Sequence, residues 1–434
     1  MVFASLAALA TASIGLSAAA QAAEVSHSVG VRTETFVDRS RPTAANGRCA
    51  ELSSRTLPTT IYYPAAPGTP AGGAVPDAAA DTAGGPYPLI VFAHGFGATA
   101  DTYRDLLAHW ASAGYVVAVP TFPLSSGTSP CGPIAGDVLN QPRDMSFVIT
   151  SMLKDSRTKG GALAGLVDDH RIGAAGHSNG GITVYGVVGN TKLRDPRISA
   201  AVILAGTAEK YRQGRYDLAH MPPVLFVHGT NDALVPYSAA IEGFNAARGP
   251  KGLLSIINGD HGSAASELVE SATTDFFDAY LRDDAAARDR LPDDQTPGVS
   301  TMKFFTAKGA TTTVPTVKTP QLHLKASVTP RKNLHGGQMV TVAWSGYTPG
   351  KVVNILECNG SDRDLSNSGG CDYSKAAILH PDPTGAGSLQ LEIVEGAVGD
   401  GICDATHRGC FIIVNNASST DPKDSVPVDI TFGS

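Results

Sequence analysis

Between about residues 88 and 282, short unbroken apolar runs alternate with stretches whose apolar residues recur every three or four positions. The runs are "PLIVFAHG", "YVVAVP", "RIGAAGHS", "ISAAVILAG", "VLFVHG" and "GLLSIING". A strand covered on both faces is apolar at every position, so these runs predict a mainly parallel sheet with helices on both sides. In "TADTYRDLLAHWASAGY", Tyr103, Leu106, Leu107 and Trp110 fall at i, i+3, i+4 and i+7, the core-facing stripe of a helix. Ahead of this region "VGVRTETFVD" and "RTLPTTIYYP" alternate polar with apolar, as antiparallel strands near a sheet edge do. The Ala/Gly/Pro-rich stretch from Ala65 to Gly85 predicts a long surface loop.

The pattern changes near Lys308, where "KGATTTVPTVKTP" has no apolar period and the composition of a linker. Beyond it the helical spacing stops. "MVTVAWSG", "KVVNILEC", "GSLQLEIVEG", "CFIIVNN" and "VPVDITFG" are short strands separated by Gly, Pro, Asn and Asp clusters, which predicts an all-β sandwich. The expected organisation is a leader over 1–23, an α/β domain over 24–306, a linker over 307–320 and a β-sandwich over 321–434.

At 434 residues the chain is long enough for two independently folding cores. Its net charge of −7, with no basic run, excludes the electrostatic attraction on which nucleic-acid binding rests. The first residues are small and apolar, and Ala20-Gln21-Ala22 has the form of a signal-peptidase site, although no Lys or Arg precedes Arg32. No other segment reaches a bilayer-spanning length, so stable membrane insertion is not expected and the protein is expected outside the cell. Six cysteines in an exported chain point to disulfides. Several connectivities are open, although Cys358 and Cys371, like Cys403 and Cys410, are close in sequence. A monomer is expected.

The candidate chemistry centres on Gly176-His177-Ser178-Asn179-Gly180, a Gly-x-Ser-x-Gly sequence between an apolar run and a helical pattern. A serine on so tight a strand-to-helix turn is held in strained geometry, and side chains at the flanking positions would collide with the neighbouring strand and helix. Serine needs a base, and the base an orienting carboxylate. Asp232 follows the run "VLFVHG" and His261 follows "GLLSIING", where an open α/β sheet gathers functional groups at the carboxyl ends of its strands. Asp260 is a competing carboxylate. Two backbone N–H donors are needed for an oxyanion: Asn179 supplies one, and Phe96, flanked by Gly95 and Gly97, supplies the other. Phe96 and His177 are expected to line the substrate site, His94 to brace its own loop, and His177 and His228 to hold motif positions of structural role. The chemistry calls for no metal and no organic cofactor. The short connection between "ISAAVILAG" and "VLFVHG" leaves no room for a large lid.

"FAHGFGA", "GHSNGG", "HGTNDALVP" and "GDHGS" together resemble the α/β-hydrolase superfamily, particularly its exported bacterial lipases, cutinase-like polyester hydrolases and platelet-activating-factor acetylhydrolase relatives. The resemblance covers about residues 27–300. It implies Ser178 as nucleophile, His261 as base, Asp232 as acid, and Phe96 and Asn179 as oxyanion donors, acting on a small-molecule, lipid or polymer ester. Polyester hydrolases carry Met after the serine, where this chain has Asn179. Residues 321–434 are similar to the neocarzinostatin family of Ig-like sandwiches, which implies the pairs Cys358/Cys371 and Cys403/Cys410 and leaves Cys49 for Cys131. That domain's ligand is left open. The competing readings are a peptidase or acyltransferase with the same triad, and a binding protein without catalysis.

Overall fold

The computed structural model describes residues 26–211, 213–306, 323–347, 353–360, 370–372, 377–379, 385–399, 401–407, 409–416 and 425–433. The expected leader and linker lie outside the described residues.

Ten strands form one sheet in the α/β region: β1 Val29–Asp38, β2 Arg55–Pro64, β3 Ala74–Pro76, β4 Tyr87–Ala93, β5 Val116–Pro120, β6 Val167–His177, β7 Ile198–Leu204, β8 Val224–Gly229, β9 Lys251–Ile256 and β10 Ser300–Phe305. Their order is β10-β9-β8-β7-β6-β4-β5-β2-β1-β3. All neighbouring pairs from β9 to β5 are parallel, while β2 pairs with β5, β1 with β2 and β10 with β9 antiparallel. Each unbroken apolar run is one of the parallel strands. Every residue of β4, β5 and β8 is buried, which is why these runs carry no polar alternation. Strand β10 was not foreseen. It is a six-residue edge strand alternating buried Ser300 and Met302 with exposed Thr301 and Lys303, too short and too polar to stand out. Strand β3 likewise interrupts the expected loop from Ala65 to Gly85.

Helices α1 Arg104–Ser112, α2 Gln141–Arg157, α3 Asn179–Gly189, α4 Tyr237–Ala246 and α5 Glu270–Leu281 cover the sheet. Two cores result. One packs α2, α3 and α4 against one face through Met145, Ile149, Val187 and Phe244. The other packs α1 and α5 against the opposite face through Leu107, Trp110, Phe276 and Phe277. The predicted stripe of Tyr103, Leu106, Leu107 and Trp110 is buried, with Tyr103 closing a short 3-10 turn ahead of α1. No helix among the described residues is long and apolar enough to cross a membrane.

The chain leaves β4 toward β5 on one side and returns to β6 on the other, so the strand order reverses between β4 and β6. An open α/β sheet makes its crevice at such a point, beyond the carboxyl ends of the strands. Ala93 of β4 pairs with Gly176 of β6, which sets the loop after residue 93 beside the turn after residue 177. The connection from β7 to β8 contains only a three-residue helical turn, Leu218–His220, among its described residues.

The C-terminal region is all-β. Strands β11 Lys325–Thr329, β12 Met339–Ser345 and β15 Gly387–Glu392 form one antiparallel sheet. Strands β13 Val353–Cys358, β14 Ala377–Leu379, β18 Phe411–Asn416 and β19 Ser425–Asp429 form a second, and the short β16 Gly396–Val398 pairs with β17 Gly401–Cys403. Val340, Val342 and Trp344 of the first sheet share a core with Val353, Ile355, Ile412 and Val414 of the second, which makes a sandwich. The disulfides are Cys49–Cys131, Cys358–Cys371 and Cys403–Cys410. Three such bonds suit an oxidising compartment.

Candidate active site

Ser178 is the N-cap of α3, with φ 59° and ψ −120°, a conformation that side chains other than glycine rarely adopt. Its N–H donates to the Leu204 carbonyl at 2.9 Å, prolonging the β6–β7 ladder by one residue before the chain turns. The crowd of glycines follows from how tightly α3 is pulled onto the sheet. A Cβ on Gly176 would strike the Gly180 carbonyl, and one on Gly180 would strike the Ala93 carbonyl. At Gly181 it would come within 2.7 Å of the Gly206 Cα. The turn therefore brings α3 against both β4 and the end of β7, with its N-terminus at the crevice.

The carboxylate comes from the turn after β8. Asp232 is fully buried and each of its oxygens is engaged. Oδ1 accepts the N–H groups of Leu234 at 2.8 Å and Val235 at 2.9 Å. Oδ2 lies 2.7 Å from His261 Nδ1 and 3.2 Å from His228 Nε2. Burial alone would raise its pKa, but hydrogen bonds from His228 and His261 outweigh burial and hold it well below the usual carboxylate range. It is therefore ionised throughout the neutral range. His228 Nε2 also faces the Val235 carbonyl at 3.0 Å, and a carbonyl only accepts, so this nitrogen carries the proton.

Asp260 is occupied elsewhere. Its Oδ1 accepts from the N–H of Ser263 at 3.0 Å and from its hydroxyl at 2.7 Å, closing its own exposed turn. The turns after β8 and β9 are bound to each other, since Asn231 N–H donates to the Gly259 carbonyl at 2.9 Å and Asn258 N–H to the Thr230 hydroxyl at 2.8 Å. That lacing fixes Asp232 and His261 relative to one another.

The loop after β4 abuts the serine: a Cβ on Gly95 would lie 3.4 Å from the Ser178 Cβ. Gly95 N–H donates to the Tyr103 hydroxyl at 2.9 Å and Gly97 N–H to the Ser125 carbonyl at 2.8 Å. The N–H of Phe96 stands between these two committed donors, and the residue is 39% exposed. The N–H of Asn179, as the first residue of α3, has no acceptor within its own helix. His94 braces the loop from beneath, with Nδ1 2.8 Å from the Gly95 carbonyl and Nε2 accepting from Phe122 N–H at 3.1 Å. Those two partners require the neutral ring, and burial lowers its pKa to about 4.

His177, which the sequence sets directly before the serine, is held within the site's hydrogen bonds. It is only 8% exposed and both ring nitrogens are taken, Nδ1 by the Tyr103 hydroxyl at 3.1 Å and Nε2 by the His261 carbonyl at 2.9 Å. A ring engaged at both nitrogens has no polar atom left for a ligand. Its ring lies against that of His261, centroids 4.7 Å apart. Burial, and then the neighbouring His261 ring, bring its pKa down to about 4. Sequence reasoning missed Tyr103, whose position in an apolar helical stripe gave no sign of a polar task, and missed the bond from His228 to Asp232.

Residues 77–210 match the family model described as chlorophyllase, and residues 326–432 match that of the neocarzinostatin family. The first segment contains Phe96, Ser178 and Asn179, and ends before Asp232 and His261. Chlorophyllase-1 of Arabidopsis thaliana is 30% identical over 151 residues, 32% of this chain and 43% of the relative, so the chain spans less than half the length of that protein. Among solved structures, a ferulic acid esterase from Streptomyces cinnamoneus aligns with a TM-score of 0.49 at 21% identity, over 66% of this chain and 98% of the esterase. The chain thus joins an α/β region, similar in sequence to chlorophyllase over residues 77–210, to an all-β region similar to the neocarzinostatin family over residues 326–432.

Proposed function

We propose that the protein is a secreted serine carboxylester hydrolase that works through an acyl-enzyme on Ser178, with residues 24–306 as its catalytic part. The observation that carries this reading is the 2.7 Å contact between buried Asp232 and His261 Nδ1, with the His261 carbonyl bound by His177, the residue before a serine at positive φ on a strand-to-helix turn. With Nδ1–H donating to Asp232, His261 keeps its other nitrogen free of a proton and able to accept the one on Ser178 Oγ. The serine oxygen attacks the ester carbonyl, and negative charge moves onto the carbonyl oxygen. Phe96 N–H and Asn179 N–H receive that charge, each such donor contributing about 3 kcal/mol to the transition state. His261 returns the proton to the departing alcohol. Water, deprotonated in turn by His261, then releases the acid.

An open crevice with an exposed phenyl ring at Phe96 fits a small or accessible ester better than one that must first displace a lid. Asn179, where polyester hydrolases carry Met, argues against a polyester as the main substrate. Ester hydrolysis is also in keeping with the likeness to chlorophyllase-1. The test is Ser178→Ala assayed on p-nitrophenyl butyrate, with a fluorophosphonate as covalent probe. The variant is expected to fold, to lose turnover and to escape labelling. Undiminished turnover would refute the assignment.

A further inference from the structure

One hydroxyl group touches both halves of the proposed machinery. Tyr103 is 5% exposed and immediately precedes α1. Its oxygen accepts from Gly95 N–H at 2.9 Å and lies 3.1 Å from His177 Nδ1. The direction of the second bond follows from the third. The His261 carbonyl, 2.9 Å from His177 Nε2, can only accept, so Nε2 carries the ring proton and Nδ1 of the neutral ring is an acceptor. Tyr103 therefore accepts from the loop and donates to His177. His177 in turn donates to the main chain of His261.

Hydrogen bonds thus run from Gly95 N–H to Tyr103, from Tyr103 to His177, and from His177 to the His261 carbonyl. They run from the residue before the expected oxyanion donor, past the residue before the nucleophile, to the backbone of the expected base. Gly95 must lack a side chain for this to exist, because a Cβ there would lie 2.9 Å from the Tyr103 oxygen. Packing holds the rings in place: Tyr103 lies 4.8 Å from Phe92 of β4, centroid to centroid. Burial favours the neutral forms throughout, raising Tyr103 to about 12 and lowering His177 to about 4.

We infer that Tyr103 and His177 are positioning residues that lock the oxyanion loop and the catalytic histidine to one another through a single shared hydroxyl. The inference rests on the acyl-transfer reading above. A serine hydrolase requires its oxyanion donors and its base to be placed within a fraction of an ångström of each other, yet here they come from turns about 165 residues apart in the chain. A direct relay makes their separation independent of how the outer loops move.

The test uses the full chain. Tyr103→Phe keeps the ring and removes the two bonds. It is expected to lower kcat on p-nitrophenyl butyrate by about 10- to 100-fold with KM nearly unchanged, and to slow fluorophosphonate labelling by a similar factor. His177→Gln places an amide N–H where Nε2–H was and keeps the link to His261, whereas His177→Leu keeps only bulk. The Gln variant is expected to retain at least about tenfold more kcat than the Leu variant. Wild-type kcat in folded Tyr103→Phe, or equal kcat in the two His177 variants, would overturn the inference. Should Tyr103→Phe not fold, the His177 pair decides by itself. Ser178→Ala separates the two levels: activity in that variant defeats the acyl-enzyme reading, while an inactive Ser178→Ala beside a fully active Tyr103→Phe defeats the relay alone.

Discussion

Asp232→Asn is the most discriminating change available in the site, because the structure leaves the new amide no comfortable orientation. Asp232 Oδ1 accepts from two backbone N–H groups, and Oδ2 faces two histidine nitrogens. If the Asn NH2 replaces Oδ1, it confronts the N–H groups of Leu234 and Val235. If it replaces Oδ2, it confronts His228 Nε2–H, which cannot give up its proton without losing the Val235 carbonyl. In that second orientation His261 Nδ1 must become an acceptor, so the ring proton moves to the nitrogen meant for Ser178. A base holding its proton on the wrong nitrogen costs about 10⁴ in kcat, close to 5.5 kcal/mol. Setting a buried donor against donors costs a further ~1–3 kcal/mol of folding stability. Two assays read the two effects: p-nitrophenyl butyrate turnover across pH 5 to 9, and urea unfolding followed by fluorescence. Activity within tenfold of wild type, with unfolding unchanged, would show that this carboxylate does not orient His261 and would remove the physical basis of the mechanism.

Two further outcomes follow from groups outside the proposed triad. His94 and His177 both titrate near 4 when folded and near 6.5 when unfolded, so the unfolded chain takes up protons that the native one refuses between those values. Their stabilisation is fully present above pH 6.5 and is lost as pH falls toward 4, by about 2 kcal/mol for each histidine at pH 5. Urea unfolding at pH 7 and pH 5 should show the loss; equal stabilities would contradict the neutral, hydrogen-bonded rings. Cys49–Cys131 closes a sequence separation of 82 residues. Replacing both cysteines by serine should cost about 2 to 4 kcal/mol by loop-closure entropy, measured by the same unfolding. It should also lower kcat, because the clamped segment supplies the Ser125 carbonyl that holds Gly97 N–H; a variant with unchanged stability and kcat would contradict both points.

The parallel core was legible because burial on both faces writes itself into sequence as an unbroken apolar run. The six runs between 88 and 259 are the six parallel strands β4 to β9. Strand β10 was not legible, since an edge strand with one wet face needs only Ser300 and Met302 inside, and two buried positions do not stand out from a loop. The elbow was legible for a related reason: backbone approaching backbone leaves no room for Cβ, so close packing of α3 is recorded directly as Gly176, Gly180 and Gly181. Asp232 and His261 were expected from their places after strands, with Asp232 preferred to the neighbouring Asp260; in the structure Asp232 meets His261 and Asp260 closes its own turn.

Tyr103 marks the limit of that kind of reading. Its ring supplies the apolar surface that the helical stripe requires, and by that criterion Phe would serve as well. What distinguishes Tyr is a hydroxyl whose donor and acceptor partners, Gly95 and His177, are 8 and 74 residues away. Hydrophobic periodicity reports how much of a side chain is covered, whereas a hydrogen bond depends on one atom and its direction. A sequence therefore exposes the residues that chemistry requires by type, such as serine, histidine and aspartate, and conceals those that act only by where they stand. At a switch point between two crossover halves, the second kind are needed most. The groups to be aligned arrive from separate turns, and nothing local to any one of those turns can align them.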